Sequence, residues 1–184
     1  MKKVAIMILA LALVSGTALA QSTAPAGSGI SVDLSVNYAS EPKGGFDGTF
    51  GLGVGGNLDL TKSFSAPQNI EIQGRASLSY FNWDDDVAGQ ELEYRRIPLF
   101  IGGRVLTPVA PQLKLYGQLG LELSFDDRDN VGAGSDSDTH LGLTPGVGLI
   151  VPLSNQFYLG ADLAWHIIKD DYVTLGVTVG FNLP

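Results

Sequence analysis

His140 and His166 are the only imidazoles in this 184-residue chain, which also lacks cysteine. A histidine between a hydroxyl and a carboxylate can activate a nucleophile, so these two positions are the first to weigh for catalysis. His166 shares one face of an alternating segment with Asp162, yet no serine is presented to it. No nucleophile–base–orienter set is readable, and no catalytic residue is assigned. Without thiols, disulfides, thiol catalysis and zinc–thiolate sites drop out as well.

The other chemistry on offer is oxygen ligation. Asp126, Asp127, Asp129, Asp136 and Asp138 crowd one Gly/Ser-rich stretch, and Asp84, Asp85 and Asp86 form a second acidic run. Hard cations take such ligands. An EF-hand loop would need Asp or Asn where Val131 stands and a glutamate at a fixed distance, and it has neither. We therefore expect loose divalent binding at these acidic stretches and no resident metal or cofactor. Gly51 to Gly56 alternate with apolar residues, which does not make a phosphate-binding loop.

The elements that carry these residues repeat one pattern. Leu113, Leu115, Gly117, Leu119, Leu121, Leu123 and Phe125 alternate with Lys114, Tyr116, Gln118, Gly120, Glu122 and Ser124. A period of two puts one apolar and one polar face on a β-strand. Eight such segments follow one another, at about 29–39, 49–60, 69–83, 93–106, 113–125, 140–153, 157–168 and 172–181. Each is close to the roughly 9–11 residues that a tilted strand needs to cross a bilayer. Pro98 cannot donate a ladder hydrogen bond, so a bulge is expected near it.

An export signal precedes them. Lys2 and Lys3, an apolar run from Val4 to Val14 and Ala18-Leu19-Ala20 predict a signal peptide over residues 1–20, cleaved before Gln21. A short lead, 21–28, then precedes a single domain, 29–184. The formal net charge of −8 becomes −10 without Lys2 and Lys3 (9 basic against 19 acidic residues). That balance excludes a nucleic-acid partner, because phosphates demand a basic surface.

Charge is sorted along the chain. Connections Thr61–Gln68, Thr107–Gln112 and Ser154–Gln156 hold no acidic residue, whereas the other four, with adjoining strand ends, hold 14 of the 19 acids. Eight antiparallel strands put both termini on the side of the plain turns. In an exported barrel that side is the periplasm, so the acidic loops face outward. Tyr38, Tyr80, Trp83, Phe125 and Trp165 lie near the acidic ends and Phe157 and Phe181 near the others, as a membrane-interface aromatic girdle requires. The inward face carries Asp33, Asp59, Glu71, Glu122 and Asp162 against Arg75, Arg96, Arg104 and Lys114, a near-balanced set that must pair or stay hydrated. Offsets across the hairpins suggest Arg96 with Glu122 and Glu71 with Arg104. An eight-stranded barrel has room for little beyond its own side chains, so these charges are read as a polar plug.

Signal, eight amphipathic strands, short inner turns and long outer loops resemble the small outer-membrane β-barrel family, with the OmpA membrane domain, OmpX and the opacity-type adhesins. Arg96-Ile97-Pro98-Leu99-Phe100-Ile101-Gly102-Gly103-Arg104 and Val177-Thr178-Val179-Gly180-Phe181 look like its strands. The family usually ends on an aromatic that the barrel assembly machinery reads, whereas here Asn182-Leu183-Pro184 follow Phe181. The expectation is an all-β, eight-stranded antiparallel up-and-down transmembrane barrel in a Gram-negative outer membrane. Its partners would be outer-membrane lipids, lipopolysaccharide and the assembly machinery, and no external ligand is named. Its role would be structural or surface-interactive, in membrane integrity or adhesion. The alternatives are a small passive or gated porin-like channel, a soluble lipocalin-like carrier and a lipid-modifying outer-membrane enzyme.

Overall fold

The computed structural model describes residues 29–40, 42, 47–87, 90–130 and 134–184. The signal segment and the lead therefore lie outside the described residues. Eight strands, β1 (Ile30–Ala39), β2 (Thr49–Asp59), β3 (Glu71–Val87), β4 (Gln90–Ala110), β5 (Leu113–Asn130), β6 (Gly134–Pro152), β7 (Phe157–His166) and β8 (Tyr172–Asn182), follow in order. Each pairs antiparallel with its neighbour, and β1 pairs with β8 from Ser31↔Asn182 to Ala39↔Thr174, so the sheet closes into a barrel. Closure leaves no free strand edge within the apolar band.

Which face is greasy is settled by exposure. Leu141 is 69 % exposed and Leu119 60 %, whereas Arg96, Glu122 and Ser124 are 0 % exposed. The wall is apolar outside and polar within, the inverse of a soluble barrel. A lipocalin-like carrier is thereby ruled out, since it would keep its apolar residues inside. No helix among the described residues is long and apolar enough to cross a membrane.

Two strand expectations are corrected. No bulge forms at Pro98: the β3–β4 ladder skips Ser79 and Tyr80 opposite it but resumes with the same offset, from Leu78↔Leu99 to Phe81↔Arg96, and the β4–β5 ladder continues through Pro98↔Ser124. The irregularity sits instead between Pro108 and Ala110, at the plain-turn end, where two prolines flank the turn. The acidic stretches are not loops either. β3 to β6 run for 17, 21, 18 and 19 residues, against 10 or 11 for the others. Asp84, Asp85 and Asp86 pair with Glu93, Leu92 and Glu91, and Asp126, Asp127 and Asp129 pair with Asp138, Ser137 and Ser135. Asp136 lies opposite Arg128. Trp83, Tyr94 and Arg96 pack against one another at the base of these extended hairpins.

Candidate functional site

Alternation aims every second side chain of each strand into the lumen, where two clusters close the bore. The cluster nearer the termini is built on β1 to β5 and β7. Arg75 donates to both oxygens of Asp33, at 2.7 and 3.1 Å, and to Asn57 Oδ1 at 2.9 Å. Asn57 Nδ2 in turn donates to Asp33 (2.9 Å) and Ser31 (3.1 Å), and the Tyr158 hydroxyl donates to Asp33 at 3.3 Å. Arg104 donates to Gln73 Oε1 at 2.6 Å and lies over the Tyr116 ring. A Cβ on Gly180 would come within 1.9 Å of the Tyr158 ring, and one on Gly148 within 2.4 Å of Tyr116. Glycine at these two positions is what lets both rings lie flat across the bore.

The outer cluster closes around Arg96. Its Nε and Nη2 donate to the two oxygens of Asp126 at 2.8 and 2.7 Å. Its Nη1 and Nη2 donate to the carbonyls of Asp170 and Lys169, at 3.1 and 3.0 Å, in the β7–β8 connection. The guanidinium rests on the rings of Tyr94 (5.3 Å) and Tyr172 (5.0 Å). Trp83 stacks on Tyr94 and meets Tyr172 edge-on, and Phe81 joins beneath them. Tyr94 and Ser124 supply Asp126 with two more donors, at 2.8 and 2.6 Å. A buried carboxylate with four donors and a buried cation between two rings meet the conditions under which charge tolerates a low-dielectric site.

Between the clusters lies a chamber of about 60 Å³, lined by residues that include Ser35, Ser77, Gln118, Asp162 and Thr144. That is room for a few waters. On its wall Glu122 accepts from Thr144 (2.7 Å), from Tyr172 (3.3 Å) and from His166 Nδ1. On its other side, His166 Nε2 is hydrogen-bonded with Thr174 Oγ1 at 3.0 Å. A hydroxyl–imidazole–carboxylate line thus exists where the sequence showed none, since the hydroxyl is a threonine eight residues on, on the neighbouring strand. The Tyr172 ring stacks on His166 at 4.1 Å and covers it.

The predicted charge set is redistributed. Arg96 pairs with Asp126, not Glu122, and Glu71 pairs with Lys114, not Arg104. The ladder sets Arg96 directly opposite Asp126 and Gln73 opposite Arg104, so the expected partners Glu122 and Glu71 lie four and two residues off register. Asp59 leaves the network: it is exposed at the rim, where Thr61 N donates to it at 2.8 Å. Asp162 lines the chamber without a direct ion pair among the described contacts. The Phe81 ring fills the space over Gly51.

Among the aromatics, Tyr38, Tyr80, Phe125, Trp165 and Phe157 are exposed on the outer wall, and Phe181 packs edge-on against Phe157 at 5.1 Å. Trp83 is the correction: it is 0 % exposed and belongs to the outer plug, as do Tyr94 and Tyr172. Alternation continued past Ser79 puts Phe81 and Trp83 on the inward face, which is the signal that would have found them. Asp126, expected in an outer loop, faces inward for the same reason.

Outside the barrel mouth the extended strands carry a flat polar lattice. Arg95 grips Glu93 in two contacts, 3.0 and 2.6 Å, and reaches Asp127 at 4.0 Å. These hydrogen bonds hold the Glu93 carboxyl below its ordinary range. Asn82 Nδ2 donates to Glu93 and Asp84, at 3.1 and 3.2 Å. Among the described residues no three potential metal-ligating side chains cluster to hold an ion.

Residues 6–183 match the family model described as the outer membrane protein beta-barrel domain. No curated protein sequence matches the chain. Among solved structures, it is similar to Neisserial surface protein A at 15 % identity and TM-score 0.61, covering 86 % of this chain and 100 % of that one. It is likewise similar to OprG of Pseudomonas aeruginosa, at 11 % identity and TM-score 0.59 over 84 % and 96 %. A third is Ail, the attachment invasion locus protein of Yersinia pestis, at 14 % identity and TM-score 0.57 over 83 % and 95 %. Ail is also solved in complex with the heparin analogue sucrose octasulfate.

Proposed function

This chain belongs to the outer-membrane protein β-barrel family, and from that premise we propose that it is a structural, surface-interacting barrel whose lumen stays closed. One observation carries this reading: the bore is shut twice, by Arg75–Asp33 with Tyr158 and by Arg96–Asp126 under Trp83 and Tyr172, around a chamber of about 60 Å³. What meets the surroundings is then the outer wall and the four-stranded extension. Both termini lie on the periplasmic side, and the barrel assembly machinery inserts the chain. The extension is acidic, with Asp84, Glu93, Asp127, Asp136 and Asp138 around Arg95 and Arg128, so it suits a basic partner rather than a polyanion of the kind Ail was solved with. Divalent cations bridge these acids loosely to phosphates of neighbouring lipopolysaccharide.

The chain is not an enzyme on this reading. The Thr174–His166–Glu122 line faces a space too small for an acyl chain, and Tyr172 covers it. Its donors and acceptors satisfy one another, which is the work of a plug. The polar chamber favours one second reading, a gated channel whose outer gate is Arg96–Asp126. Planar-bilayer recording separates the two. The closed barrel gives no discrete conductance steps at either polarity, and regular steps from the unaltered protein would overturn the reading. Heat-dependent gel mobility checks independently that the barrel is folded.

A further inference from the structure

We propose that the chamber between the two plugs holds one alkali cation, ligated by the Asp162 carboxylate and the Asn37 amide oxygen. The site is part of the closed lumen and rests on that reading. The register sets Asn37 of β1 and Asp162 of β7 on either side of Gly176 of β8, in one inward-facing row. Both side chains lean over this glycine. The place that a Cβ on Gly176 would take lies 2.4 Å from Asn37 Oδ1 and 2.8 Å from Asp162 Oδ1. Two acceptor oxygens thus face one small gap, which the missing Cβ leaves open. Asn37 Nδ2 donates to Ser35 Oγ at 3.0 Å and so turns its oxygen toward that gap. Neither oxygen receives a hydrogen bond among the described contacts.

Charge decides what fills the gap. A carboxylate shut away from bulk water needs a counter-charge or a full set of donors. The other ions that face the chamber have theirs. Arg75 is held by Asp33 and Asn57, and Glu122 by His166, Thr144 and Tyr172. Arg104, an inward cation that also lacks a carboxylate among the described contacts, is turned to Gln73 and the Tyr116 ring and does not line the chamber. Asp162 is left with a negative charge and no donor. Turning the Asn37 amide end for end would give it one neutral donor and still no counter-charge. Ser77, Ser79 and Gln118 add neutral oxygens around the same space. One carboxylate among neutral oxygens suits a hard ion of single charge, since a divalent ion beside Arg75 would leave positive charge in excess. About 60 Å³ takes a small ion with its waters.

The test is urea unfolding of the full mature protein in lipid vesicles, with sodium or potassium chloride exchanged for N-methylglucamine chloride at constant ionic strength. Raising the alkali ion tenfold, from about 10 to about 100 mM, should raise the folding equilibrium constant about five- to tenfold. That is the linkage of an ion that binds only the folded form, with a dissociation constant near or below the lower concentration. Asp162→Asn should remove the dependence. Gly176→Ala should remove it as well, by filling the gap while every charge stays, so the result does not hang on one variant's folding. Rubidium in crystals of the unaltered protein should give an anomalous peak beside Asp162 and Asn37. No response to the alkali ion would mean that a proton, a water or a turned amide satisfies Asp162, and would overturn the proposal. An equal response in the unaltered protein and both variants would overturn it too, as ordinary salt action. Conductance steps in planar bilayers would count against the closed lumen, whereas a missing ion effect counts against the site alone.

Discussion

Arg96 is the side chain on which the outer plug turns, and its removal has a calculable cost. Arg96→Met keeps much of the apolar stem and deletes four donated hydrogen bonds, two to Asp126 and two to the Asp170 and Lys169 carbonyls. Asp126 then keeps the Tyr94 and Ser124 hydroxyls as donors and loses its guanidinium, with His140 Nε2 3.9 Å away, in a site where it is 5 % exposed. Stranding one partner of a buried pair costs about 3–5 kcal/mol. Asp126→Asn should cost a comparable amount, since it strands the guanidinium. The double substitution should cost less than the sum by about 2 kcal/mol, because each single change forfeits the same contact. Urea unfolding in lipid vesicles, followed by tryptophan fluorescence and by heat-dependent mobility, measures all four corners. Additive costs would refute the pairing. So would rescue of Arg96→Glu by Glu122→Arg, because that contact belongs to a register the barrel does not have.

Three further outcomes follow from the wall, the bore and the rim. Leu119→Arg places a cation on the lipid-facing surface where the side chain is 60 % exposed, and should lower vesicle stability by about 2–4 kcal/mol, whereas Gln118→Arg on the inner face should cost less. Gly180→Val should cost about 1–3 kcal/mol by driving the Tyr158 ring off Asp33, and Tyr158→Ala in the same chain should recover much of it; equal losses in both backgrounds would show that the ring does not need the gap. Glu71→Gln at the half-exposed Lys114 pair should change stability by less than about 1 kcal/mol, and any effect should shrink as salt rises in the same unfolding assay.

Alternation carried most of the fold. It is a one-dimensional property, so the Leu113–Phe125 stretch alone tells which residues face lipid. Strand pairing is different. Arg96 and Glu122 share the inward face of one hairpin, but the partner is fixed by where the turn falls, and the β4–β5 turn sets Arg96 opposite Asp126, four residues from Glu122. The same gap explains the Thr174–His166–Glu122 line, whose members come from β8, β7 and β5. Strand ends were misplaced because acid-rich segments usually mean solvated loops. Here Asp84 to Asp86 and Asp126 to Asp129 stay in ladders. Nearness to an acidic end suggests a girdle position for Trp83, whereas its parity with Arg75 along β3 points inward.

The lengths of the strands join the plug to the surface. β3 to β6 outrun the other four, so the extension has no wall of β1, β2, β7 and β8 opposite it and would lean freely over the mouth. Arg96 supplies the missing tie. It stands on β4 at the foot of the extension, grips Asp126 on β5, and reaches across the bore to the carbonyls of Lys169 and Asp170 between β7 and β8. Arg128 repeats the span higher up, over Tyr94 and onto Asp170. Closing the lumen and fixing the attitude of the outer sheet are therefore one set of contacts. Loosening it by Arg96→Met should raise amide exchange on β3 to β6 above the membrane together with exchange in the Ile167–Asp171 connection. Exchange confined to one side of the mouth would mean that lid and extension are held separately.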